Sequence, residues 1–267
     1  MDSVDVQTIR PGIAMVTMNR PDNRNALSPQ LIEDLKSALR DSGDNRAIRV
    51  VILTGAGKAF CSGADMKGGS LPARAEGYGR LGVAYKYQEE LVDLMLLIRE
   101  LQKPVIAAVN GAAVGGGLAI ALHSDIRVAS ESARFGAVFI RVGLSSCDVG
   151  TSYLLPRIVG AGRAAELMLT GRILGAEEAE RIGLVHRVVP DGQLMDCALE
   201  TAELIRENSE YGVWMTKQGL WANLDAPSLR HAIELENRTQ VLGVFTDNME
   251  EARQAFQEGR KPQWKPL

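Results

Sequence analysis

The stretch Lys103-Pro104-Val105-Ile106-Ala107-Ala108-Val109-Asn110-Gly111-Ala112-Ala113-Val114-Gly115-Gly116-Gly117 decides how this chain is read. Val105 to Val109 is a β-type run, bounded by a proline before and Asn-Gly after, and the pattern beyond the three glycines is helical. No Asp, Glu, Lys or Arg occurs from Pro104 to Ser124, so the segment must first be tested as a membrane span. Asn110 and the glycine triplet interrupt it, and its two halves follow different periods. A strand, a tight turn and a short helix are predicted, and no membrane association.

The same rhythm extends outward. Upstream, Ile13 to Met18 and Val50 to Leu53 read as strands on either side of a helix from about Pro29 to Arg40. Ser28 is its N-cap, and Leu31, Leu35, Ala38 and Leu39 share one face. Asp41 to Arg46 is predicted as a polar turn, and Gly68 to Arg80 as a loop. Leu91, Leu94, Met95, Ile98 and Leu101 follow the three-and-four spacing of a buried helical stripe that Pro104 terminates. Downstream, Ile126 to Ala129 reads as a strand, and the chain after Gly150 is mostly helical apart from a β-type run at Leu184 to Val189. Beyond Arg206 everything is helical. Trp214, Leu220, Trp221, Ile233, Leu235, Val241, Leu242 and Phe245 supply more apolar surface there than such helices bury alone. An α/β core over residues 1–205 and a helical region over 206–267 are therefore expected, the latter packed on the body or on another subunit.

With 267 residues, 46% of them apolar and 24% charged, the chain has the composition of an ordinary globular protein. Lys and Arg number 30 against 33 Asp and Glu, which leaves no general basic face for a nucleic-acid partner. Cys61, Cys147 and Cys197 are widely spaced, and His123, His186 and His231 are scattered, so neither a disulfide framework nor a metal site is expected. Met1 to Arg10 has no apolar signal core, which points to a cytoplasmic location.

Two glycine-containing turns each follow a predicted strand: Phe60-Cys61-Ser62-Gly63-Ala64-Asp65, and Asn110-Gly111 through Gly117. Backbone N–H groups at such turns are unpaired and can receive an oxyanion or a phosphate, and glycine lets a ligand approach the main chain. Gly55-Ala56-Gly57-Lys58 lacks the spacing of a Walker A loop, and the triplet lacks the dinucleotide-binding spacing. Tight strand–helix packing is the structural alternative for either turn.

Taken with Arg20-Pro21, Asn25-Ala26-Leu27-Ser28, Ser124-Asp125-Ile126-Arg127-Val128-Ala129, Leu169-Thr170-Gly171-Arg172 and Gly183-Leu184-Val185, these motifs resemble the crotonase, or enoyl-CoA hydratase/isomerase, superfamily over nearly the whole chain. The resemblance implies a ββα spiral core, a C-terminal helical trimerisation region, and assembly as a homotrimer or a dimer of trimers. It also implies a coenzyme A thioester as substrate and no separate cofactor. Its thioester oxygen would be held by the backbone N–H groups of Ala64 and Gly116. Arg24, Ala26, Ser62, Met66 and Lys67 match substrate-binding positions around the first turn. Phe139 and Val142 match the acyl side, and Phe256, Arg260 and Lys261 the nucleotide region. Asp65 is expected to brace its turn.

The acid/base groups depart from the family pattern. Hydratases carry glutamates at the positions held here by Ala119 and Phe139, neither of which can move a proton. Asp148, in Ser145-Ser146-Cys147-Asp148-Val149-Gly150-Thr151, is the candidate acid/base. An aspartate just before a helix starting near Val149 also suits an N-cap, and the roles can coexist. The loop resembles those of dienoyl-CoA isomerases and an aryl-CoA dehalogenase, but the dehalogenase tryptophan is missing. Cys147 is expected to be a packed thiol, Glu89 and Glu90 a solvated helix face, and Arg141, Ser145 and Tyr153 possible orienting groups. The expected function is isomerisation or atypical hydration of an enoyl-CoA. Thioester hydrolysis, decarboxylation, C–C cleavage and non-catalytic acyl-CoA binding are the alternatives.

Overall fold

The computed structural model describes residues 3–67 and 72–267. Among these residues ten strands form two sheets. In chain order they are β1 (Val4–Arg10), β2 (Ile13–Met18), β3 (Val50–Gly55), β4 (Ala59–Cys61), β5 (Val105–Val109), β6 (Ala112–Val114), β7 (Ile126–Ser130), β8 (Arg134–Gly136), β9 (Leu174–Gly175) and β10 (Arg187–Val189). The helices are α1 (Pro29–Asp44), α2 (Arg80–Glu100), α3 (Gly116–His123), α4 (Thr151–Val159), α5 (Ala161–Thr170), α6 (Ala176–Arg181), α7 (Leu194–Arg206), α8 (Glu210–Asn223), α9 (Leu229–Val244) and α10 (Asn248–Glu258).

The larger sheet has the order β1-β2-β3-β5-β7-β10 and the smaller one β4-β6-β8-β9. Three successive turns of chain each lay one strand in the large sheet and the next in the small: β3 then β4, β5 then β6, β7 then β8. After the first two turns a helix, α2 or α3, leads to the next. Both neighbouring pairs within each stack run parallel, β3–β5 and β5–β7 in the large sheet and β4–β6 and β6–β8 in the small one. This is the ββα spiral that the motifs implied. Corners of adjacent turns are stitched by Asn110, whose side-chain oxygen accepts from Gly55 N at 3.2 Å while its amide donates to the Gly57 carbonyl at 3.0 Å.

Alternation along the strands feeds two cores. Val51 and Leu53 face α1, α2 and α3, whereas Val50, Ile52, Ile106, Ala108 and Val128 face Leu194, Cys197, Ala198 and Ala202 of α7. The Ser28 hydroxyl caps α1 through Leu31 N at 3.2 Å, and Leu31, Leu35, Ala38 and Leu39 are buried as their spacing requires. The stripe on α2 is likewise buried from Leu91 to Leu101.

Several boundaries differ from the sequence expectation. The segment read as a polar turn at Asp41 to Arg46 continues α1 to Asp44. Lys103 reaches in from β5's approach to donate to the Ser42 carbonyl at 3.1 Å and to the Asn45 carbonyl, bringing a cation to a helix C-terminus. Val4–Arg10, which carries no sequence signature, is a strand because β2 offers it an edge. Of Leu184 to Val189 only the last three residues pair. The predicted loop at Gly68 to Arg80 lies partly outside the described residues, and Ala73–Ala75 within it form one 3-10 turn.

The last helices begin with α8 fastened to the core. Lys217 pairs with Asp125 at 2.8 Å, Trp221 Nε1 donates to the same carboxylate at 2.9 Å, and the Arg99 guanidinium lies 3.5 Å from the Trp221 ring centre. Leu220, Ile233, Val241, Leu242 and Phe245 remain exposed on α8, α9 and the turn that follows. Among the described residues no helix is long and apolar enough to cross a membrane.

Candidate active site

The two glycine turns meet. Leu27 N donates to the Gly63 carbonyl at 2.8 Å and the Asp65 N–H to the Leu27 carbonyl at 3.3 Å, forming a one-residue parallel bridge between Leu27 and Ala64. In such a bridge the opposite strand bonds the residues flanking Ala64, so the Ala64 N–H points away from it. On the other wall, Gly115 sits at φ 56°, ψ −122° and its N–H goes to the Gly136 carbonyl at 2.9 Å. Helix α3 then starts at Gly116, whose N–H belongs to the first turn and has no intrahelical acceptor.

Contact between the walls explains the glycines. A Cβ on Gly63 would lie 3.0 Å from the Val114 carbonyl oxygen and 3.3 Å from Gly116 N. One on Gly116 would meet Leu27 Cδ1 at 2.8 Å, and one on Gly117 would fall 2.0 Å from the Cys61 carbonyl oxygen. Only bare backbone allows the approach. Ala64 is exposed and Gly116 buried, so one side of the junction opens outward.

Asp65 braces the turn as expected: Arg20 reaches its carboxylate at 3.0 Å and the Ala26 carbonyl at 2.7 Å, and Lys67 N bonds its other oxygen at 3.1 Å. The Tyr87 hydroxyl, from α2, donates to the Leu27 carbonyl at 2.6 Å. Burial, reinforced by the nearby Cys61, Asp65 and Asp148, pushes the Tyr87 hydroxyl up to about 12, so it stays a donor at neutral pH. Burial also drives the Cys61 thiol up to about 12.

Asp148 is half-buried, and its carboxylate accepts a hydrogen bond from the Gln88 side-chain amide of α2. It does not cap α4. That helix starts at Thr151 behind Gly150, which sits at φ 79°, and Thr151 N bonds the Asp148 backbone carbonyl at 2.8 Å, leaving the carboxylate uninvolved. The left-handed turn through Val149 (φ 38°) and Gly150 directs the side chain toward α2. Ala119 is fully buried inside α3, and Phe139, 8% exposed, brings a ring edge toward the glycine turn. Among the described residues no cluster of three or more His, Cys, Asp or Glu is placed to hold a metal ion.

Residues 8–266 match the enoyl-CoA hydratase/isomerase family. The chain is a member of that family. It is therefore an enzyme of the crotonase superfamily. A protein named "Probable enoyl-CoA hydratase echA12" from Mycobacterium bovis is 47% identical over 258 residues, covering 96% of this chain and 90% of that one. A solved structure described as a probable enoyl-CoA hydratase/isomerase from Mycobacterium abscessus superposes with a TM-score of 0.93 at 41% identity, covering 99% of each chain. A monofunctional enoyl-CoA isomerase from M. smegmatis is 42% identical with a TM-score of 0.73, over 87% of this chain and 99% of that one.

Within this crotonase, Arg24, Ala26, Ser62, Met66 and Lys67 gather at the first turn. Ser62 N donates to the Arg24 carbonyl at 3.1 Å, and Arg24, Met66 and Lys67 are exposed beside it. Val142, by contrast, points outward. Phe256, Arg260 and Lys261 are not brought to the turn within a single chain. Phe256 is exposed, Arg260 is held by Glu251 and Glu258 at 2.6 Å each, and Lys261 is paired with Glu207 at 2.6 Å.

Three other expectations are corrected. Glu90 is buried rather than solvated, paired with Lys36 of α1 and with Arg74 at 3.2 Å, while Glu89 pairs with Lys86 at 2.7 Å. Cys147 is exposed, turned outward between the buried Ser146 and the half-buried Asp148, with the Ser145 hydroxyl accepting from Cys147 N at 3.0 Å. Tyr153 bonds Asp225 and stacks under Arg157, 3.6 Å from its ring centre, which ties α4 to the end of α8. Tyr87 and Gln88 were missed by sequence reasoning. Their only signal is a pair of polar-tipped side chains just ahead of the apolar stripe on α2.

Proposed function

We propose that this crotonase isomerises an enoyl-CoA thioester, with the Ala64 and Gly116 amides as its oxyanion hole and Asp148 as its proton carrier. The observation that supports it most is the contact of the Gly63–Ala64 turn with the N-terminus of α3, which leaves two outward amides from distant parts of the chain beside each other. In the reaction the Asp148 carboxylate takes a proton from the carbon next to the thioester carbonyl. The electron pair flows into an enolate whose charge rests on the thioester oxygen between the two amides. The carboxylic acid then returns the proton at the far end of the conjugated system, and the double bond has moved. No water is consumed and no electrons are exchanged. Fixed donors aimed at the developing oxyanion contribute about 3–4 kcal/mol each.

One acid/base group suits this proton shuttle better than syn-hydration, for which the family uses two glutamates; Ala119 and Phe139 occupy those positions. Likeness to the M. smegmatis isomerase supports the same choice. An atypical hydration is the second reading, favoured by the hydratase name of the M. bovis relative. In either case Arg24, Ser62, Met66 and Lys67 border the coenzyme A path, and Phe139 the acyl path. Exposed apolar side chains on α8 and α9 support a homotrimer or a dimer of trimers. Any contribution of Phe256, Arg260 and Lys261 to the nucleotide would then come from a neighbouring copy.

The test is a panel of enoyl-, dienoyl- and β-keto-CoA thioesters turned over in deuterated water, with products resolved by mass, for the parent and for Asp148→Asn. Isomerisation gives product of unchanged composition apart from deuterium, and hydration adds a water. Turnover that survives Asp148→Asn unchanged rejects Asp148 as proton carrier.

A further inference from the structure

Helix α2 reaches both halves of the site with consecutive residues. The Tyr87 hydroxyl bonds the carbonyl of Leu27, the residue bridged to Ala64, and the next side chain, Gln88, bonds Asp148. Leu91, Leu94, Met95 and Ile98, on the same helix face one to three turns along, hold the backbone at this point against the core. The buried Lys36–Glu90 pair, two residues along, adds a second anchor. The position of the Gln88 amide is thus fixed against the same frame that fixes the Ala64 turn.

From this arrangement we propose that Gln88 is a positioning residue that locks the Asp148 carboxylate so that only one of its two oxygens exchanges protons with substrate. The inference rests on Asp148 being the proton carrier. An ionised carboxylate only accepts hydrogen bonds, so the Gln88 NH2 must face it, and the Oδ1 atom is the one engaged. That leaves Oδ2 to take and return the proton. The carboxyl plane no longer rotates freely, and Oδ2 stays aimed at the reacting carbon. Without the amide, rotation about the Cβ–Cγ bond presents either oxygen, and the reacting atoms lose alignment.

The experiment compares the parent with Gln88→Met, which keeps length but has no donor, and with Gln88→Leu as a second donor-free variant. Turnover of enoyl-CoA is followed as kcat and KM, alongside thermal melts. The expected result is a kcat lowered about 10- to 100-fold, with KM within twofold and an unshifted melt. Preserved kcat in both variants, with turnover abolished by Asp148→Asn, overturns the role of Gln88 and leaves Asp148 standing. Loss of stability, or a raised KM with kcat preserved, overturns it too, since a purely structural contact would do that. Unimpaired Asp148→Asn removes both assignments together.

Discussion

Gly117→Ala is the substitution that tests whether contact between the two turns matters. Its Cβ would lie 2.0 Å from the Cys61 carbonyl oxygen, 2.7 Å from the Cys61 carbonyl carbon and 2.9 Å from its Cβ. A carbon sits about 3.3–3.6 Å from a carbonyl oxygen even in a favourable C–H···O contact, so α3 and β4 must part by more than about 1 Å. Neither partner is a flexible side chain. Cys61 lies three residues before Ala64 and Gly117 one after Gly116, so the movement falls on the proposed oxyanion hole. Overpacking of this kind costs about 1–3 kcal/mol. At roughly 2–4 °C per kcal/mol for a chain near this size, the melting temperature should fall by about 2–12 °C. Misplacing catalytic groups by about 1 Å costs on the order of 100-fold in rate, so kcat/KM should collapse well beyond what the lost stability explains. Gly162→Ala in α5 is the control. Its Cβ meets nothing within 4 Å, and it should leave activity alone while stabilising by about 0.4–1 kcal/mol. Thermal melts and steady-state assays on the same preparations check both. A Gly117→Ala enzyme with kcat/KM within threefold of the parent would refute the argument that these walls must touch.

Two further outcomes follow from buried charge. Lys36→Met strands Glu90 in the interior with only Arg74 beside it, and should cost about 3–5 kcal/mol in urea unfolding; the double variant Lys36→Met/Glu90→Leu should recover most of that. For His123, burial lowers the ring to about 4 from an ordinary 6.5; Arg99 adds to this and the Ala119 carbonyl opposes it. The unfolded chain therefore binds a proton that the folded one refuses. The stabilisation is complete above about pH 6.5 and is lost as pH falls toward 4, on the order of 3 kcal/mol in all. Unfolding titrations at a series of pH values should show this slope flattened in His123→Gln, and an unchanged slope would assign it to other groups.

Helix α1 and its serine cap, the buried stripe of α2 and the central strands β3, β5 and β7 were legible because each carries a periodic apolar signal over several residues or an all-apolar run between breakers. The glycine turns were legible as motifs, and the resemblance expects glutamates where Ala119 and Phe139 stand. The small sheet was not, since β4, β6, β8 and β9 have only two or three residues each and no period can be counted over so few. Glu90 looked solvated because a charge on a helix usually is. Its partner Lys36 lies 54 positions away, and only packing α1 on α2 buries both.

Sequence alone thus carried the resemblance to the family, the βα rhythm of the large sheet and the expectation that the usual proton-transfer glutamates are replaced, all of which reside in local pattern. Folding decided that Gly63 and Gly116 touch, that Gln88 meets Asp148 across 60 residues of chain, and that Lys261 pairs with Glu207 across 54. Those are contacts between distant segments, and their existence depends on which faces the two sheets and their helices bury against one another.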